Sequence, residues 1–468
     1  MHHDRIRRVC ISIISAFVLV QAAETGGKKF GTEFSGYTFI EVGEVMKGYR
    51  VGGGGGAIDH RWMETACIGL FSETRIDEHL KVLMGFEGLL GFPFTIYNQK
   101  GSAYVPFRET RNFFWVSRGE GLYTFGDTAG TSLQIEAGYF PYKYNNEVRN
   151  LGEYIFRTMC YPPVMINQFD RTFTELLGFR VGNTLRGLFH HDLIFYSDVK
   201  QYPYNDFSLA YLADIKNPRL VFVKQNFITL GAGVNLYRLI PVRGDLTNPE
   251  NPNNALNHYY DTVSKVYNAA TNDTTYGIDS GWTTYAGTKL MGRATIDFKK
   301  IIPLEIFGPE DLKLYGEVAV LGWKNYPFFY EERKERTPVT IGFNFPTLKI
   351  LRILDIDILD KIIDIVDLDL LNAEAEYLDS KNVNSIRQPF YNLVPIPYPE
   401  DPTNPHERLK WSVYAKKKIG KRMSISAQIA NDHIMPKSLA PDEAIQDYTD
   451  VTYRHGDWWW NIRTRFDF

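Results

Sequence analysis

The sequence predicts an all-β fold: a transmembrane antiparallel β-barrel of about 14–18 strands, centred on about 16, with one amphipathic helical insert near 348–365. Three observations lead there. Apolar and polar side chains alternate with period two along most of the chain, as they do where successive residues of a strand face opposite sides. The less apolar face is charged and glycine-rich. Beyond residue 23, no apolar run approaches the ~18 residues that mark a spanning helix.

The N-terminus has the grammar of an export signal. Arg5, Arg7 and Arg8 precede the apolar run "VCISIISAFVLV", and small residues follow, so cleavage is expected after Ala22 or Ala23. Cys10 stands before the apolar core, which excludes a lipid-anchored cysteine. The domain reading is therefore a signal peptide over 1–23 and a barrel over 24–468. Cys67 and Cys160 remain in the exported part, where one disulfide and two separate thiols are both open. The whole chain carries a net charge of −3, with no basic excess that would suit nucleic acid. Aromatic residues make up 15%, which favours strands and also membrane–water boundaries.

Along the chain, the segments follow one rule. In "HLKVLMGFEGLLGF", Leu80, Val82, Met84 and Phe86 oppose Lys81 and Glu87. In "SLQIEAGYF", Leu133, Ile135, Ala137 and Tyr139 oppose Gln134 and Glu136. In "FITLGAGVNLY", Ile228, Leu230, Ala232, Val234 and Leu236 oppose Thr229, Gly231, Gly233 and Asn235. "LKLYGEVAVLG" sets Leu312, Leu314, Val318 and Val320 against Lys313, Tyr315 and Glu317. "LLNAEAEY" sets Ala373, Ala375 and Tyr377 against Glu374 and Glu376, and "MSISAQIA" repeats the pattern. Further strands are expected near 36–46, 62–71, 111–126, 175–197, 206–225, 284–298, 338–346 and 409–418. Phe39, Trp62, Phe92, Tyr139, Trp323 and Trp411 lie toward segment ends, where interfacial aromatic girdles would form.

The last strand, "DWWWNIRTRFDF", divides by parity. Trp458, Trp460, Ile462, Thr464, Phe466 and Phe468 share one face; Trp459, Asn461, Arg463, Arg465 and Asp467 share the other. Its length suits the ~9–11 residues of a spanning strand. It resembles the final strand of Gram-negative outer-membrane β-barrel proteins, which typically end in an aromatic residue. Phe466 and Phe468 occupy the two aromatic positions, while Arg463 stands where that family often has glycine. The resemblance implies outer-membrane lipid as surroundings and recognition of Phe466 and Phe468 by the barrel-assembly machinery. It also implies pairing of this strand with the first one, near "GYTFIEVGEV". "EAGYFPYKYN" resembles a strand and turn of substrate-selective porins, and general porins commonly assemble as homo-oligomers.

Three segments interrupt the rhythm. Residues 141–173 carry Asn and Pro punctuation and a short helix signal at 147–158. Such an insert either caps the surface or folds into the lumen, where Arg149, Glu153 and Arg157 would line a constriction. Residues 244–281 are rich in Asn, Pro and Gly and read as a long outward loop; its Tyr259, Tyr260, Tyr267 and Tyr276 could bind glycans. In 348–365, Asp357, Asp360 and Asp364 share a helical face with Asp367 beyond, opposite Ile350, Leu354, Ile358 and Ile362; this helix would cap the rim or plug the lumen.

Little points to catalysis. No HExxH or GxSxG occurs. His190, His191 and Asp192 are adjacent, and neighbours on a strand point to opposite faces. No cofactor or metal site is implied. Charge on the inward face is the stronger lead: Lys81, Glu87, Glu136, Arg180, Arg293, Glu317, Glu374, Arg463 and Arg465 are the expected pore-lining residues. Opposed charges across a pore filter solutes by charge and dipole. The expected function is passive diffusion of small hydrophilic solutes, without enzymatic activity. An adhesin or glycan-binding barrel is the alternative reading, and a secreted β-rich glycosidase with a carboxylate pair ~5–10 Å apart is the third.

Overall fold

The computed structural model describes residues 31–50, 56–92, 111–127, 130–157, 174–197, 207–216, 227–240, 257–268, 273–284, 287–302, 307–323, 332–347, 368–387, 396–399, 405–432, 447–449 and 452–468. The export signal, Cys160 and the helix expected over 348–365 lie outside them.

Sixteen strands form one closed wall. In chain order they are β1 (Gly31–Lys47), β2 (Arg61–Arg75), β3 (Leu80–Phe92), β4 (Arg111–Gly126), β5 (Ser132–Tyr142), β6 (Thr174–Leu185), β7 (Phe189–Ser197) and β8 (Phe207–Lys216). The second half comprises β9 (Ile228–Ile240), β10 (Gly287–Asp297), β11 (Lys313–Val320), β12 (Val339–Phe345), β13 (Leu370–Tyr377), β14 (Leu409–Ile419), β15 (Met423–Ala430) and β16 (Trp458–Asp467). Each pairs antiparallel with the next, and β16 returns to β1, with Tyr37 opposite Asp467 and Glu44 opposite Trp460. The predicted barrel, its strand number and its closing pair are all present. The stretch 175–197, read as one segment, is two strands joined by a turn at 186–188.

The wall is inverted relative to a water-soluble protein. Ile40, Ile341 and Ile462 point outward and are 64%, 55% and 47% exposed, whereas Glu317 and Asn372 point inward and are buried. β13 shows the rule residue by residue: Asn372, Glu374 and Glu376 are buried, and Ala373, Ala375 and Tyr377 lie on the outer side. Apolar side chains left in water forgo roughly 1.5–3 kcal/mol each. An outer surface of this kind is stable only against lipid.

Outward aromatics cluster at both ends. Trp62 packs edge-on against Trp460 at the end that carries the long connections, with ring centroids 5.9 Å apart. Phe125, Phe345, Phe466 and Phe468 are exposed at the opposite end. Phe39 does not belong to either girdle. It is buried on the lumen side, because it shares parity with Glu41 and not with Ile40.

The long segment 244–281 also differs from expectation. It contains an antiparallel hairpin, Asn257–Asn268 with Asp273–Thr284, separate from the barrel sheet. Its Tyr, Thr and Val residues favour strands. A second small sheet joins 382–387, 396–399 and 447–449.

At the seam, Gly36 and Phe468 exchange backbone hydrogen bonds, 2.8 and 2.9 Å. A Cβ on Gly36 would stand 2.6 Å from the Phe468 ring. The absence of a side chain there lets the terminal ring lie over the first strand. Gly36→Leu is therefore expected to weaken closure by about 1–3 kcal/mol through overpacking. The temperature at which the folded protein loses its compact gel mobility should fall; an unchanged midpoint would contradict this account of the seam.

Candidate functional site

The interior is divided by the segment that follows β5. Residues 143–157 turn into the barrel and end in a four-residue helix, α1 (Tyr154–Arg157), shorter than the helix signal at 147–158 suggested. Val148, Leu151, Tyr154, Ile155 and Phe156 are fully buried. Tyr154, Ile155 and Phe156 join an apolar cluster with Phe140 and Tyr142 of β5, Leu176 of β6, Ile194 and Tyr196 of β7, and Ala210 and Leu212 of β8. These wall residues are lumen-facing by parity, so this part of the inner surface is apolar where the insert covers it.

An insert without regular structure leaves backbone N–H groups that must find acceptors. Two carboxylates supply them. Glu374 on β13 accepts the N–H groups of Arg149, Asn150 and Leu151 at 2.6, 2.8 and 3.0 Å. Glu317 on β11 accepts those of Glu153 and Tyr154 at 3.0 and 2.9 Å, together with the Tyr144 hydroxyl at 2.6 Å. Tyr154 in turn donates to Glu376 at 3.0 Å. In the ring of sixteen strands, β13 stands eight places from β5, directly across the lumen. The insert therefore leaves one wall and is fastened to the opposite one.

Several supporting features keep this fastening in place. Tyr315 donates to Glu374 at 2.6 Å and receives the Asn372 amide at 2.8 Å. Its ring lies across Gly342, where an added Cβ would come within 2.2 Å. Gly152 and Glu153 adopt φ of 98° and 58°, which kinks the insert between its two anchors. The Glu153 carboxylate accepts the Asn145 N–H at 2.7 Å and closes the insert on itself. Burial, with Glu317 and Glu153 nearby, pushes the Tyr144 hydroxyl well above the ordinary phenol range, so it stays protonated as a donor.

On the far side of the insert, Lys313 binds Glu147 and Glu310, both at 3.1 Å, and Arg149 approaches Glu310 at 3.4 Å. Partial burial raises the Glu310 carboxyl, but Lys313 and Arg149 outweigh it and hold the group below the usual range.

Two spaces remain beside the insert. One of about 640 Å³ runs along β1–β5 and β13–β16 and is lined by Glu41, Glu87, Arg118, Arg149, Lys416, Arg463 and Arg465 among others. The other, about 690 Å³, follows β4–β10 and is lined by Glu136, Tyr142, Arg180, His190, Asp192, Asp214 and Arg293 among others.

The expected pore-lining residues fall into four groups. Glu87, Arg463 and Arg465 border the first space; Glu136, Arg180 and Arg293 border the second. Glu317 and Glu374 point inward but lie beneath the insert, 3% and 2% exposed, as its anchors. Lys81 pairs with Glu73 at 2.8 Å. Of the expected constriction residues, Arg149 lines the first space and Glu153 is buried within the insert; the Arg157 side chain lies outside those described.

The arginines of the second space are compensated by contact. Arg180 donates to Glu136 at 2.9 Å and to Asp192 at 2.8 Å; Arg293 donates to Asp214 at 3.3 Å. His190 and Asp192, two residues apart, share a face and meet at 3.0 Å, whereas His191 points the other way. In the first space, Arg463 holds Glu41 through Nε at 2.8 Å and through Nη2, and lies over the Phe39 ring at 4.4 Å. Arg465 lies over Tyr37 at 3.9 Å. Cys67 is buried behind them with Phe39 and Leu89. Lys416, Glu41 and Arg118 were not singled out by sequence reasoning; strand parity places Lys416 and Glu41 inward and was the available signal, whereas Arg118 shares parity with the outward Phe114 and Val116 and turns inward only through the bulge at Ser117.

No family profile matches the chain, and no curated protein matches it. Among solved structures, a triple-mutant porin of Rhodopseudomonas blastica aligns with TM-score 0.40 and 9% identity, covering 94% of this chain and 100% of the porin. A second engineered variant of the same porin gives the same values. So loose a likeness adds nothing to the barrel, which the strand pairing itself shows.

Glu374→Ala should leave the three insert N–H groups without an acceptor, at a cost on the order of 1–3 kcal/mol for each group that water does not reach. Limited proteolysis of the folded barrel should then cut within 143–157, while Glu374→Gln, which retains one acceptor oxygen, should be cut more slowly. Gly342→Ala, by displacing Tyr315, should give a milder form of the same sensitivity. Equal resistance of Glu374→Ala and the parent protein would show that Glu374 does not hold the insert.

Proposed function

We propose that this protein is an outer-membrane channel through which small hydrophilic solutes diffuse passively. The observation that carries the reading is the insert anchored across the lumen by Glu317 and Glu374, with charge-lined space left on both sides. A barrel interior designed only for stability would gain more from filling that space with side chains. Charged groups at the borders of the remaining space sort solutes by charge and dipole as they pass.

In this reading, residues 1–23 direct export and are removed, the outer face meets outer-membrane lipid, and Phe466 and Phe468 identify the chain to the barrel-assembly machinery. Glu87, Glu136, Arg180, Arg293, Arg463 and Arg465 act as pore-lining charges, and Arg149 borders the constriction. Diffusion needs no covalent step and no cofactor.

Purified, folded protein added to a planar lipid bilayer should produce discrete, ohmic conductance steps. Folding is checked beforehand by heat-modifiable gel mobility. Folded protein that inserts and yields no conductance would overturn the channel reading in favour of a closed barrel. Removing the anchors with the double variant Glu317→Ala, Glu374→Ala should change step size or noise, since the insert then no longer defines the bore.

A further inference from the structure

We infer, building on the channel reading, that the space beside β14–β16 selects small anions, including monocarboxylates, and that Lys416 is its central charge. The two sides of the insert differ in how their charges are matched. On the β4–β10 side, Arg180 and Arg293 touch carboxylates. The space that β14–β16 border is lined by six Lys and Arg residues and by Glu41, Glu73 and Glu87; of the six, Arg118 is paired with Glu120 and Arg149 approaches Glu310. Glu41 is engaged by Arg463 and Glu73 by Arg75 and Lys81.

The register explains the concentration of charge. Lys416, Ser426 and Arg463 are successive cross-strand neighbours over β14, β15 and β16; one step along, Lys418, Ser424 and Arg465 repeat the order. Both rows face the lumen by parity. On the other flank, Lys416 sits opposite Leu370, and the neighbouring Asp369 carboxylate accepts the Lys418 backbone N–H at 2.5 Å. Arg463 is balanced by Glu41, and Arg465 by Asp467 in its own strand at 2.8 Å. Lys416 has no ion pair among the described residues. Lys418, Arg465 and Arg149 are like charges near it, and Asp467, which acts in the opposite sense, is already bonded to Arg465.

A partly buried ammonium in this position gains most from a mobile counter-ion. Neighbouring groups suit an anion as well: Ser426, Tyr414 and Asn461 line the same space and bring hydroxyl and amide donors. Tyr37 and Phe39 lie flat beneath Arg465 and Arg463 and hold those guanidinium groups against the wall. The result is a lining with fixed positive charge and hydrogen-bond donors, which favours small anions and disfavours cations.

The test is a reversal potential across a bilayer under a potassium chloride gradient. Chloride should be favoured over potassium, by up to on the order of tenfold. Lys416→Gln should move the ratio toward one, Lys416→Glu past it, and Lys416→Arg should leave it close to the parent value. Lys334→Gln, on an exposed loop, should not change it. Potassium acetate should give the same sign as chloride; a reversed sign with acetate would overturn the assignment of monocarboxylates. A conducting channel that is unselective, or that prefers potassium, would overturn this inference and leave the channel reading intact. Anion preference unchanged in folded Lys416→Gln would remove Lys416 from the centre of the site. A folded barrel that does not conduct would remove both readings together.

Discussion

Every strand in this wall depends on ring closure. In contact with lipid, a backbone N–H or C=O without a partner costs several kcal/mol, so an open edge is not tolerated. The bonds between β1 and β16 satisfy the last two edges and convert a sixteen-strand sheet into a barrel. Once it is closed, parity assigns each side chain to lipid or lumen, and a slip of one residue would invert a whole strand. Gly36 belongs to this constraint, because the Phe468 ring occupies the place of its missing side chain.

The same accounting of backbone groups governs the lumen. An irregular segment can enter a barrel only where its N–H groups meet acceptors. Glu317 and Glu374 meet that need from the wall, and the apolar cluster around Tyr154, Ile155 and Phe156 supplies burial. Pairing charged acceptors with neutral N–H donors gives stronger bonds than neutral pairs. The anchors serve a second purpose: by holding the insert across the lumen, they leave space between it and the wall on either side.

Charge distribution then separates two environments within one lumen. Where Arg180 and Arg293 touch their carboxylates, the fixed field is short-ranged and largely internal. Near Lys416, basic side chains outnumber acidic ones and the field extends into the water. Both environments arise on strands with the same alternation, so their difference lies in which residues become neighbours across strands.

Much of this architecture was legible in the sequence. Strand parity is a local property: the backbone turns successive side chains to opposite faces whatever lies beyond, so "LLNAEAEY" and "NIRTRFDF" disclose their two faces unaided. The approximate strand number and the inward direction of Glu374 and Arg463 follow from that rule, whereas the closure of the last strand on the first came from the resemblance of the last strand. Phe39 misled because its aromatic character was weighed ahead of its parity. The hairpin within 244–281 was hidden by Asn and Pro at its margins. The tertiary structure alone decided that Glu374 serves as an acceptor for an insert more than two hundred residues away, as the separation of 225 between Arg149 and Glu374 shows. It alone decided that Lys416 faces Arg465 and Arg149 while Arg463 finds Glu41. Alternation tells a side chain which way to point; ring closure and the path of the insert determine what it meets.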